Sequence, residues 1–284
     1  MSESYHYLIS GLPDLYSADQ SAERDLERIQ AEILELLQPD DRSEFQYLLL
    51  RNDNKNLLRL IRDRQGIPDD SHISFHRPAA FSHQDLEEGI LGLFELPEYM
   101  QLFLEETDLQ KPLTLQSENR LIELYYEEAI ENTGPFLSGF FSHKRDLKNI
   151  ISAINARRDG MDLVSVLVGD TDLNRELVQS NLPDFGLSRV YPFIAEIREL
   201  IEQRQLNELE KRIDALILDY VAENSIGHEF DGVGVFAYFL ELSLASRWVD
   251  RSVDLGRERL REIVKKVLSN SVLPEQVRAD ELAL

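Results

Sequence analysis

The chain contains no cysteine, which excludes disulfide staples and thiolate metal sites. Basic charge is in short supply: 30 Lys and Arg stand against 53 Asp and Glu, a formal charge of −23. Such a surface repels nucleic acid phosphates and anionic lipid headgroups, and leaves complementary protein faces as the natural partners. Long hydrophobic runs are missing too. The longest, 233–245, covers thirteen residues and contains Glu241, whereas a spanning helix needs about 20 apolar residues. The first thirty residues lack the apolar run of a signal peptide, so a soluble chain in the reducing cytosol is expected. Alternating strand patterns and Asn-Gly hairpin signals are also absent.

What the sequence does carry is helical periodicity. Apolar residues recur at three- and four-residue spacing, which makes the class all-α. Leu26, Ile29, Ile33, Leu36 and Leu37 form one amphipathic segment, which Pro39, Asp40 and Asp41 are expected to end. Helix is expected over 45–64, divided near Asn52, then a connecting loop over 67–81, and helix again from Gln84. A helix over 117–130 is expected to stop around Gly134 and Pro135, and another to start at Asp146 and stop at Gly160. Residues 161–168 read as helix or loop. Beyond Pro192 one long amphipathic segment runs to Tyr220, followed by a polar, Gly-rich stretch at 224–234. An apolar helix over 235–248, a basic helix to 268 and a frayed tail complete the expectation.

One motif occurs twice, 93 residues apart: Asp53-Asn-Lys-Asn-Leu-Leu-Arg-Leu-Ile-Arg-Asp-Arg64 and Asp146-Leu-Lys-Asn-Ile-Ile-Ser-Ala-Ile-Asn-Ala-Arg157. Five of the twelve positions are identical, and a glycine follows each copy at Gly66 and Gly160. Self-similarity at a fixed period points to a duplicated helical unit. With a period of about 93 residues the chain divides into helical subdomains 1–95, 96–190 and 191–284, the third resting on spacing, helical character and charge. The basic charge follows the motif. Residues 51–64 and 144–159 each hold five basic and two acidic side chains, and 247–266 holds seven and four. Arg62, Arg64, Arg157 and Arg158 fit the negative end of a helix dipole.

At about 100° per residue, Asp53, Asn56, Leu57, Leu60, Ile61 and Arg64 share one face, as do Asp146, Asn149, Ile150, Ala153, Ile154 and Arg157. Polar residues on an apolar face serve either a buried network that fixes helix docking or a partner surface. The network is preferred, because buried polar groups need matched partners without any ligand. Lys55 and Lys148 fall on the opposite side and are the better candidates for partner contact, together with Glu241 and Arg247 of the third unit.

Other signals are weak. The stretch Gly232-Val-Gly-Val-Phe-Ala237 matches a relaxed dinucleotide fingerprint but lacks a preceding strand. No Walker lysine motif occurs. His72, His76 and His83 have spacing that could hold a metal, yet they lie in a loop context without the His-Glu-x-x-His order, so a metal-dependent hydrolase is a remote alternative. Glu105-Glu106 and Glu127-Glu128 read as solvated helix faces. No catalytic, cofactor or metal residue is assigned.

Tyr125-Tyr-Glu-Glu-Ala-Ile, Phe136-Leu-Ser-Gly-Phe-Phe and Asp146-Leu-Lys-Asn-Ile-Ile-Ser-Ala-Ile-Asn-Ala-Arg-Arg158 resemble the family of V-type ATPase central-stalk subunits lettered C, or d in eukaryotes. Tyr5-His-Tyr-Leu-Ile-Ser-Gly-Leu-Pro and Phe236-Ala-Tyr-Phe-Leu-Glu-Leu-Ser-Leu-Ala-Ser-Arg247 are similar as well, and the closest likeness is to a bacterial branch associated with V-type ATPase subunits. The resemblance implies an all-helical funnel of three related subdomains that caps the rotor ring, receives the central shaft and transmits torque for ion transport without catalysis. Its partners would be the rotor-ring and central-shaft subunits, and its place the cytoplasmic side of the membrane, held there through the complex. A free-standing acidic helical scaffold or regulator is the alternative.

Overall fold

The computed structural model describes residues 3–12, 26–67 and 75–249, and among them every regular element is a helix. In chain order these are α1 (Glu3–Gly11), α2 (Leu26–Leu36), α3 (Pro39–Arg64), α4 (His83–Ile90), α5 (Glu98–Glu106), α6 (Leu115–Glu131), α7 (Pro135–Asp159), α8 (Leu163–Val166), α9 (Asp172–Gln179), α10 (Ile194–Glu202), α11 (Leu206–Asn224) and α12 (Gly232–Val249). The chain is all-α. None of the described helices is long and apolar enough to cross a membrane.

The chain divides into two compact units, one made of Met1–Gln38 with Leu218–Leu284 and the other of Pro39–Ile217. Both boundaries expected from the 93-residue period, after 95 and after 190, fall within the second unit. In the first unit α2 packs against α1 and α12. Its Ile29 and Ile33 are fully buried, and Leu8 of α1 and Phe236, Phe239 and Leu242 of the apolar helix read at 235–248 are buried as well. The basic helix and the tail expected beyond it lie outside the described residues.

The second unit is organised by two long helices. In α3, Pro39 begins the helix rather than ending the one before it. Its missing N–H is one that the first turn leaves unbonded anyway, and Asp40 and Asp41 sit favourably at the positive end of the dipole. The helix runs unbroken through Asn52, because the asparagines there bond outward instead of competing for their own backbone. Asn52 Nδ2 donates to Pro78 O at 2.8 Å, and Asn54 Oδ1 accepts from the Tyr99 hydroxyl at 2.7 Å. The second long helix, α7, starts at Pro135 with Gly134 as its cap, so Asp146 lies in its interior.

Both helices end alike. Arg62 and Arg64, and Arg157 and Arg158, occupy the last turns, each followed by a left-handed glycine, Gly66 at φ 70° and Gly160 at φ 68°. The next residue closes the end, with Ile67 N–H donating to Arg62 O at 3.0 Å and Met161 N–H to Ala156 O at 2.8 Å. A Cβ at Gly160 would meet nothing within 4 Å, so Gly160→Ala is penalised by backbone strain alone. It should cost about 1–2 kcal/mol, read as a lower urea midpoint with an unchanged slope; an unmoved midpoint would contradict the left-handed stop.

The segment from 194 to 220 departs from expectation, being two helices. Arg204 takes φ 56° and Gln205 N–H donates to Leu200 O at 2.9 Å, a helix stop formed without glycine. The break keeps the apolar phase, with Ile201 buried before it and Leu209 after it, which is why periodicity reads straight through. In 161–168, α8 is a single short turn followed by extended backbone at Leu167.

Candidate functional site

Of the residues shared by the two motif copies, the aspartate, the asparagine and the arginine reach the segments that return after each long helix. In the first copy, Asp53 is fully buried. Its carboxylate accepts from Ala80 N–H at 2.8 Å and Phe81 N–H at 3.1 Å, just ahead of α4. Burial pushes this carboxyl up to about 6, against the opposing pull of those backbone donors. Three residues on, Asn56 makes a two-way bond with the backbone of one residue: its Nδ2 donates to His76 O at 3.0 Å and its Oδ1 accepts from His76 N–H at 2.7 Å. Arg64 donates to Glu87 O at 3.2 Å from an exposed rim position, so it belongs to the network without being buried.

The second copy repeats the central device. Asn149, fully buried, donates to Val168 O at 2.8 Å and accepts from Val168 N–H at 2.9 Å. Arg157 holds the chain further along. Its guanidinium donates to Leu182 O at 2.5 Å, Leu177 O at 3.3 Å and Ser180 O, and lies 3.6 Å over the Phe185 ring. Asp146 differs from Asp53. It is half-buried, its Oδ2 accepts from the Tyr191 hydroxyl at 3.2 Å, and Arg145 Nε stands 3.6 Å from its Oδ1. Burial raises its carboxyl above the usual range, opposed chiefly by the Arg145 charge. The identical residues thus meet different kinds of partner, with the asparagines the closest match.

Several members of this network escape a motif comparison. Asn54 is buried and bonds Tyr99, although it is not repeated. Asn174 donates to Val168 O at 2.9 Å and Gly169 O at 2.6 Å, reinforcing the Asn149 clasp. Glu128 is not on a solvated face. Its carboxylate accepts from Tyr99 N–H at 2.8 Å, in the first turn of α5, and from the Tyr47 hydroxyl at 3.2 Å. Pro97, at the start of α5, offers no side-chain cap, so a neighbouring helix supplies one. Burial, with the Glu128 charge second, pushes the Tyr47 phenol up to about 12. Glu44 does the same for α7, accepting from Gly134 N–H at 2.8 Å. Glu128→Ala is expected to cost about 1–2 kcal/mol by loss of an N-terminal cap; a thermal midpoint equal to the wild type would remove Glu128 from this role.

Among the candidates for partner contact, Lys55 is exposed, as its helical position implies. Lys148 is half-buried instead and donates to Asn119 Oδ1 at 3.4 Å, with burial lowering its pKa. The adjoining α6 turns a surface position into a packed one. Glu241 and Arg247 are half-buried on α12. At the start of that helix Asp231 Oδ1 accepts from Val233 N–H at 2.9 Å and Gly234 N–H at 3.3 Å. A carboxylate thus occupies the donors that a dinucleotide phosphate would need, and a Cβ on Gly234 would come within 2.3 Å of His228 O. Gly234 serves both this cap and the close approach. His72 lies outside the described residues, while His76 contributes backbone to the Asn56 clasp. Among the described residues no group of three or more His, Cys, Asp or Glu could hold a metal ion.

A comparison with curated proteins finds no match. A family model described as "Protein of unknown function (DUF2764)" matches residues 1–271, nearly the whole chain, and the chain belongs to that family.

Proposed function

We propose that this protein is a non-catalytic central-stalk component of a V-type ATPase, linking the central shaft to the membrane rotor ring and passing torque between them. It would work at the cytoplasmic face of the membrane, held there through the complex. The observation that carries the reading is the asparagine clasp of α7, which falls in the segment that most resembles the V-type ATPase central-stalk family. A part that transmits torque must keep its helices from slipping, and two-way bonds from a buried side chain to a returning stretch of backbone resist slip better than apolar packing, which is non-directional. The matched clasps at Asn56 and Asn149, with matched helix stops at Gly66 and Gly160, also support descent of both copies from one duplicated unit. A charge of −23 favours complementary, basic faces on the partners.

The test is recovery of the tagged full chain from membranes of cells that contain the ATPase. Stoichiometric retention of ring and shaft subunits is the expected result, weakening as salt rises. Recovery of the chain alone, with ion pumping unaffected by its deletion, would replace the rotor reading with a free-standing acidic scaffold.

A further inference from the structure

Within the second unit, the last turns of α7 and α10 and the loop at 183–185 line a half-open cleft of about 270 Å³. Its apolar lining is Ile154, Pro183, Phe185 and Ile201, and three of its remaining four lining residues are Arg157, Arg158 and Arg198. Three guanidiniums around one cleft are unusual in a chain of charge −23. The carboxylates nearby do not balance them. Arg158 is paired with Asp159, its Nε 2.8 Å from Oδ1. Arg198 Nε stands 3.6 Å from Glu202 Oε1, too far for a hydrogen bond, and is buried without one. Arg157 is half-buried and its hydrogen-bond partners are neutral carbonyls. Three cations against two carboxylates leave one positive charge at the cleft, available for charge-assisted hydrogen bonds to an entering anion.

We propose that this cleft binds a single carboxylate carried on a compact apolar body. The net charge matches one carboxylate better than a dianionic phosphate. The volume lies just below the range of ordinary small-ligand pockets, about 300–1,000 Å³, which suits one aromatic or branched aliphatic group and not a nucleotide. The body would lie against Phe185 and Ile201, with its acid facing Arg157 and Arg198. Such a group can come from a free organic acid or from a peptide in which an apolar side chain adjoins an acidic one. The site stands on the cleft's own chemistry and is independent of the rotor reading.

The test is a titration of the full isotope-labelled chain, following arginine Nε–H signals. Added 4-phenylbutyrate should give saturating shifts at the cleft arginines, with binding at least about tenfold tighter than for 4-phenylbutanol, acetate or inorganic phosphate, a difference of about 1.4 kcal/mol. Arg198→Ala and Arg158→Ala, both at solvent-accessible side chains, should each weaken phenylbutyrate while leaving the thermal midpoint in place. The blocked dipeptide Ac-Phe-Asp-NH₂ identifies the source: tighter binding than phenylbutyrate assigns the cleft to a protein partner, weaker binding to a free acid. Shifts that fail to saturate, equal binding of the alcohol, or full affinity in both arginine variants would overturn the proposal.

Discussion

Asn149→Ala should destabilise the chain by about 2–4 kcal/mol, with a fall in the thermal midpoint on the order of 10 °C. The Asn149 side chain is fully buried, and both its bonds to Val168 are buried as well. Removing it leaves Val168 N–H without a partner in a dry site, at about 1–3 kcal/mol for the orphaned donor. The Val168 carbonyl fares better, because Asn174 still donates to it at 2.9 Å. The remaining cost is the cavity left by the amide. Asn56→Ala breaks the same two-way bond but should cost less, since His76 is half-exposed and water can reach its peptide. Asn155→Ala is the control: its amide donates to Ile151 O within the helix, so its loss orphans no distant group and should change stability by under about 1 kcal/mol. If Asn149→Ala and Asn155→Ala unfold at the same urea concentration, the clasp does not hold the segment after α7.

The sequence makes this device half visible. Spacing alone puts Asp53, Asn56, Leu57, Leu60 and Ile61 on one buried face, and the same reading places Asn149, Ile150, Ala153 and Ile154, because helical phase is a local property. Helix stops at Gly66 and Gly160 are legible for the same reason. Partners are not legible, since they depend on where the chain returns. Nothing local pairs Asn56 with the peptide of His76 or gives Glu128 the first turn of α5. Lys148 shows the limit from the other side: its phase puts it outside, but the neighbouring α6 brings Asn119 to it. Pro39 and Arg204 fail differently. Proline fits the start of a helix as well as the end of the previous one, and a left-handed residue other than glycine leaves no compositional mark. The arginine cleft is likewise invisible in the sequence, because Arg198 meets Arg157 and Arg158 only through the packing of α10 on α7.

Asp53→Asn is expected to flatten the dependence of stability on pH between about 4 and 6. In the folded chain the Asp53 carboxyl is pushed up to about 6 from an ordinary value of 3.8, with burial as the largest cause. The native state therefore keeps this proton over a range in which the unfolded chain has already released it. By linkage, the stabilisation is fully present below about 4 and is lost as pH rises through about 6. A difference of about two pH units corresponds to ~3 kcal/mol, so the wild type should be more stable, through this group, at pH 4 than at pH 7. The amide of the variant cannot ionise, and its curve should lack that component. At pH 7 the variant avoids burying a charge but turns one amide N–H toward a backbone donor, Ala80 or Phe81, where the carboxylate had accepted. These opposing changes should leave its neutral-pH stability close to that of the wild type, with the deficit opening toward pH 4. Urea midpoints of both chains taken across this range decide the matter, since Asp146 and Glu127, whose carboxyls are also raised, and the overall negative charge contribute to both curves and cancel in the difference. Parallel curves would mean that Asp53 titrates in the fold as it does in the open chain, and that the two N–H groups ahead of α4 hold it ionised despite its burial.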